Sequence, residues 1–172
     1  MKKYIATFVA GFGAAALQVV PGAKALGCCL IIPLAAFIAL SLDQKANNDY
    51  SRISVNKAIL FGVLTGVVSA FFLSLFDVMI TLITHNNEFV DSIYNLDEAF
   101  SVLNFPPELK KEVGELFYSM RDDIVEDGFS FLYTFSVFTR NFIIDPIFGL
   151  IGGLVSMQII NKKNEKKEDY YG

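Results

Sequence analysis

The chain has 172 residues, a net charge of -4 and a hydrophobic content of 53%, with 17 Phe against a single His. Its mean hydropathy of +0.47 lies well to the apolar side of ordinary soluble domains, so lipid is the expected solvent. The sequence contains no nucleotide-binding glycine loop, zinc-protease motif or basic aromatic patch, and we therefore expect no catalytic centre, no cofactor and no nucleic-acid partner.

Four apolar segments predict an all-α integral membrane protein with a four-helix bundle. They cover residues 4–20, 25–42, 58–83 and 142–160. Each approaches or exceeds the ~20 residues that carry a helix across about 30 Å of hydrocarbon. Pro21 and Gly22 predict a tight hairpin between the first two spans, and Pro33 predicts a kink in the second. The basic start, apolar stretch and A-x-A sequence also fit a signal peptide, so cleavage of the first span stays open.

Lysine and arginine are distributed unequally between the two predicted sides of the membrane. Nine of the 14 lie at the N-terminus, between spans two and three, or in the charged tail of residues 161–172. Positive residues are retained in the cytoplasm, so both termini are expected there. The four lysines that follow the last span would also attract anionic lipid headgroups.

The loop between spans three and four is predicted to be an acidic helical segment outside the cytoplasm. Residues 86–128 contain eleven Asp or Glu against three Lys or Arg. After Pro106-Pro107, apolar residues recur at helical spacing up to Gly128, which predicts an amphipathic helix of about 20 residues. Its acidic face is unlike that of anionic-membrane binders, so we expect its apolar stripe to cover the bundle or a partner protein.

Small residues four positions apart predict close helix packing. Span three contains the ladder Gly62, Gly66, Ala70 and Ser74, and span four contains Gly149 and Gly153. Helices in lipid associate through close backbone approach, which such residues permit. Packing within one chain is favoured, and packing between copies in a homo-oligomer is the alternative.

Three charged residues interrupt the apolar spans and form a candidate intramembrane cluster. From Ala58, Asp77 lies about 28 Å along span three; from Ile160, Arg140 lies about 30 Å and Asp145 about 22 Å along span four. If both spans start at the same level, these charges mark the outer membrane boundary.

Two roles are open for this cluster. Asp77 and Arg140 would pair near the interface while Asp145, immediately before Pro146, either kinks span four or caps a helix whose first residue is Pro146. Alternatively, two carboxylates beside one arginine would bind a cation or relay a proton, because ionisable groups inside spans often line such routes.

The remaining reactive residues give weaker patterns. His85, Glu88 and Asp91 have helical spacing but resemble a solvated loop more than a metal site. Cys28 and Cys29 are adjacent, unlike the CxxC spacing of redox and zinc sites, so buried packing is expected and a thiol sensor or intermolecular disulfide is the alternative.

The order of elements resembles a known family. A short hairpin, the junction KANNDYSRISVNKAILFG, a small-residue span, an acidic helical loop and a final DPIFGLIGGLVSMQIINKK are similar to the bacterial membrane family called domain of unknown function 4199. That family has a terminal P-x-G-L-like stretch that ends in basic residues. The closest local match to it is Pro146-Ile147-Phe148-Gly149-Leu150, which has one extra residue between Pro and Gly. The resemblance implies a four-span protein of the bacterial inner membrane, and no catalytic residues.

These observations predict a non-enzymatic scaffold or interaction subunit of the cell envelope. Its partners would be the lipid bilayer and an envelope protein that contacts residues 86–128. The alternative is a small transporter or channel subunit that uses Asp77, Arg140 and Asp145.

Overall fold

The computed structural model describes residues 4–20, 22–94, 96, 100 and 106–171, and within them it is all-helical. Its α-helices are, in chain order, α1 (Ile5–Gln18), α2 (Ile32–Asn47), α3 (Val55–Thr84), α4 (Glu88–Ile93), α5 (Pro107–Asp127) and α6 (Phe131–Tyr171). Three helices are long and apolar enough to cross a membrane: Gly27–Asn47, Val55–Thr84 and Phe131–Glu165. The chain is therefore an α-helical protein with three candidate membrane spans.

The first predicted span forms a shorter helix than the sequence indicates. The 14 residues of α1 extend about 21 Å, less than the ~30 Å of a hydrocarbon core. The fourth span, and with it the four-helix membrane bundle, therefore stays a prediction. The hairpin turn includes Gly22, whose φ of +86° lies in the left-handed region that favours glycine.

The second predicted span is irregular before Pro33. A 3-10 turn at Lys24–Leu26 and a π-helical turn at Gly27–Ile31 lead into α2. Because proline has no backbone N–H, it cannot continue the regular ladder into the preceding turn. The expected disturbance at Pro33 thus takes the form of a change in helix type, with Pro33 in the first turn of α2.

The last helix is much longer than predicted. The sequence places span four at residues 142–160, whereas α6 runs without a break from Phe131 to Tyr171, with Pro146 inside it. Asp145 therefore does not cap a helix that starts at Pro146, and that expectation is wrong. The aromatic residues before Arg140 contain no helix breaker, and the Lys- and Glu-rich tail favours helix, so both extend the span.

The chain divides into two compact units. The first comprises Met1–Ser74 and Phe138–Gly172, and the second comprises Leu75–Val137. The core of the first unit lies among α1, α2, α3 and α6. Its buried members are Ala10, Ala14, Ile32, Ala35, Ala39, Leu40, Ile53, Ala58, Phe61 and Ile160.

The second unit contains most of the predicted acidic segment. Helix α5 ends as expected at Gly128, whose φ is +70° and whose N–H donates to the carbonyl of Ile124. Met120 and Ile124 are buried, whereas Leu109 and Leu116 of the same apolar stripe are exposed. The side chain of Asn87 caps α4 by accepting a hydrogen bond from the N–H of Val90 at 2.9 Å.

Candidate functional site

Glycines bring the backbones of α3 and α6 into contact in the first unit. A Cβ added to Gly62 would lie 2.9 Å from the carbonyl carbon of Gly149, and one added to Gly149 would lie 3.1 Å from that of Gly62. A Cβ on Gly153 would lie 3.2 Å from the carbonyl carbon of Ala58. These glycines therefore form one line of contact, which we call the glycine seam, and neither helix could approach so closely with larger residues.

The glycine seam fixes the antiparallel register of the two helices. It places Ala58 opposite Gly153, Gly62 opposite Gly149, and Gly66 opposite Asp145. The sequence-based depth estimate aligned Ala58 with Ile160 instead, an offset of seven residues or about 10 Å. The two spans do not begin at the same level, so that assumption was wrong.

The observed register moves Asp145 away from the end of α3. Gly66 lies eleven residues after the start of that helix at Val55 and eighteen before its end at Thr84. On its own helix, Asp145 lies 14 residues, or about 21 Å, after Phe131. Asp145 therefore lies well inside α6 and opposite an interior position of α3. Its predicted place near the outer membrane boundary stays a prediction.

Polar side chains from three helices meet near Asp145. The amide of Gln18, at the end of α1, donates to the hydroxyl of Ser69 at 3.1 Å and to the carbonyl of Ala14 at 3.3 Å. The Ser69 hydroxyl also lies near the carboxylate of Asp145. Asp145 is only 3% exposed, and its Oδ2 atom has no hydrogen-bond partner among the described residues. We call Gln18, Ser69 and Asp145 the polar triad.

A second set of polar contacts lies about one helical turn before Asp145 on α6. The guanidinium of Arg140 donates from Nε and Nη2 to the side-chain oxygen of Asn141, at 3.3 and 3.2 Å. The amide nitrogen of Asn141 donates to the hydroxyl of Ser74 on α3 at 3.0 Å. Arg140 lies five positions before Asp145 on the same helix, and both belong to the first compact unit. Two of the three predicted charged residues thus lie in one compact unit.

The third predicted charged residue belongs to the other compact unit. Asp77 lies on α3 within Leu75–Val137, and its backbone carbonyl accepts a hydrogen bond from the hydroxyl of Thr81 at 2.8 Å. Its predicted pairing with Arg140 stays a prediction. Sequence reasoning missed Gln18, Ser69 and Asn141, because single uncharged polar residues in apolar helices carry no spacing signal.

A separate ion pair lies where α2 approaches α3. The ammonium of Lys57 lies 2.6 Å from a carboxylate oxygen of Asp43, whose side chain is 5% exposed. The amide of Asn47 donates to the same carboxylate at 2.9 Å. Together with Asn56, Leu60 and Phe61, these residues line an open cavity of about 610 Å³.

The connection between α2 and α3 is held against α6 by asparagine side chains. Asn161 accepts from the N–H of Ile53 at 2.8 Å and donates to the carbonyl of Ile53 at 3.1 Å. Asn164 donates to the carbonyl of Tyr50 at 3.0 Å. These bonds satisfy backbone groups that no helix or strand partner reaches.

The weaker sequence patterns do not form a metal or disulfide site among the described residues. No group of three His, Cys, Asp or Glu that could hold a metal ion occurs there. His85 instead places its ring near the carbonyl of Val125, at 3.2 Å. The sulfur atoms of Cys28 and Cys29 are 3.6 Å apart and unbonded, and Cys29 is exposed, contrary to the expected burial.

The fold and the polar triad define the class: an α-helical protein whose three long apolar helices fit a membrane and enclose buried polar groups. Comparison with family models, curated proteins and solved structures finds no match to the chain. The resemblance in layout noted from the sequence therefore stays a prediction.

Proposed function

We propose that the chain is a non-enzymatic membrane scaffold whose segment 86–128 contacts another envelope protein. The observation that carries this proposal is the uncovered part of the apolar stripe on α5. Leu109 and Leu116 are 41% and 47% exposed, on a helix rich in acidic residues. A single exposed leucine is ordinary, but two from one stripe beside acids would suit a partner with apolar and basic groups.

The glycine seam supports a structural role. Direct backbone contact at Gly62 and Gly149 leaves no space for one helix to slide past the other without separation. A scaffold needs such a fixed arrangement of its helices. The acidic composition of residues 86–128 would add electrostatic attraction toward a basic partner surface.

In-cell cross-linking tests this proposal. A photoreactive amino acid is placed at Leu116, and the matched control carries it at Asp122, which is also exposed on α5. We expect one discrete heterologous product from Leu116, identified by mass spectrometry, and none from Asp122. Equal labelling from both positions, or products that contain only copies of this chain, would contradict a specific envelope partner.

A further inference from the structure

The carboxylate of Asp145 is placed where a permanent negative charge is costly. The residue is only 3% exposed and lies inside the candidate span Phe131–Glu165. One oxygen, Oδ2, is enclosed without a hydrogen-bond partner among the described residues. A buried ionised group without full pairing either gains a counter-charge or gains a proton.

One carboxylate oxygen of Asp145 is the place where a proton would bind. Oδ2 is enclosed and has no hydrogen-bond partner among the described residues, so no donor stabilises a negative charge there. The Gln18 amide donates to the hydroxyl oxygen of Ser69 and to the carbonyl of Ala14, and not to this carboxylate.

The charges on the neighbouring helices are few. There is no Asp, Glu, Lys or Arg in helix α1. The same is true of the apolar part of the second span, which comprises Gly27–Ile31 and the first turns of α2. Helix α3 contains Asp77, eight positions after Ser69, and Lys57 near its start. On α6, Arg140 lies five positions before Asp145, and its Nε and Nη2 donors are directed to Asn141.

Burial without a hydrogen-bond partner at Oδ2 favours the neutral acid over the anion. We propose that Asp145 is an exchangeable proton-binding site, at which Oδ2 takes a proton from a hydronium ion, forms an O–H bond and leaves water. The proton is a better ligand than a metal cation, because the nearby side-chain donors and the guanidinium present positive charge. This site goes beyond a scaffold function and does not depend on a partner protein.

Infrared titration of the intact protein in lipid nanodiscs tests the proposal. A protonated carboxyl group in an apolar site has its own C=O stretching band, which carboxylates lack. We expect such a band to appear reversibly as the pH is lowered from about 9 to about 4. Asp145→Asn should remove it, and Asp49→Asn, which removes an exposed carboxylate, should leave it unchanged.

A second measurement keeps the test decisive if Asp145→Asn does not fold. Labelling with ¹³C-aspartate assigns the band to an aspartate in the otherwise unmodified chain. A band that is absent throughout, or that never titrates, would overturn the proposal.

Discussion

Replacing Gly66 with alanine tests whether the glycine seam determines the packing of α3 on α6. The added Cβ would lie 2.6 Å from the carbonyl carbon of Asp145 and 2.6 Å from the Cα of Pro146. The carbonyl oxygen of Asp145 would lie closer still, and ordinary contacts of a Cβ begin at 3.4 Å, so the backbones would need to separate by about 1 Å. All these opposing atoms belong to the backbone, and no flexible side chain can move aside to make room.

Two effects of this substitution oppose each other. Overpacking of a tight contact costs about 1–3 kcal/mol. Alanine is a better helix former than glycine by about 1 kcal/mol, which offsets part of that cost. The substitution Gly13→Ala provides the matched control, because Gly13 also lies inside a helix and nothing lies within 4 Å of its added Cβ. The difference between the two variants isolates the overpacking cost.

Reversible unfolding in mixed detergent micelles gives the two free energies of unfolding. We expect Gly66→Ala to be less stable than Gly13→Ala by about 1–3 kcal/mol. Gly13→Ala itself should equal or exceed the parent protein in stability. If Gly66→Ala is as stable as the control, α3 and α6 do not touch at this point and the register described above is incorrect.

Three further predictions concern the connection between α2 and α3. Lys57→Met leaves the carboxylate of Asp43, 5% exposed, without its ion partner, and should lower the free energy of unfolding by about 3 kcal/mol. Apolar replacement of both should cost less than this in the same unfolding assay, and an equal cost would contradict a coupled pair. Asn161→Leu leaves a backbone N–H and a C=O of the connection unpaired, which should cost about 2 kcal/mol and accelerate amide exchange there. Hydrogen bonds from the side chain and backbone of Ser51 lower the pKa of Asp49 in the folded protein. Any stability that this carboxylate contributes is therefore present above its pKa in the unfolded chain and is lost as the pH falls through its pKa in the folded protein. NMR titration should show the lowered midpoint, and Ser51→Ala should raise that midpoint again.

Local sequence signals predicted the helices well where those signals were strong. The stop at Gly128 and the helix after Pro106 follow from turn chemistry and periodicity, and both are present in the structure. The small residues of span three and span four indicated where backbones could approach. The sequence understates the length of α6, because Arg140 and Pro146 resemble helix boundaries although neither interrupts the helix.

The polar triad was not predictable from sequence in the same way. Asp145 is distinctive as a charge in an apolar segment, whereas Gln18 and Ser69 are common residues that have no distinctive neighbours. Their contact joins positions 51 residues apart and depends on how α1 packs on α3. Gly11 makes that packing close, since its added Cβ would lie 2.7 Å from the carbonyl oxygen of Thr65. Such a contact becomes visible only when the register between helices is known.

Helix packing and the placement of the buried carboxylate have a common origin in this fold. Gly66 allows the backbone of Asp145 to lie directly against α3. Ser69 follows Gly66 by three positions, about one helical turn, and therefore lies on the same side of α3. The close approach at Gly66 thus brings Asp145 near the Ser69 hydroxyl. A side chain at position 66 would widen this gap, so the same glycine that tightens the seam also keeps the carboxylate close to α3.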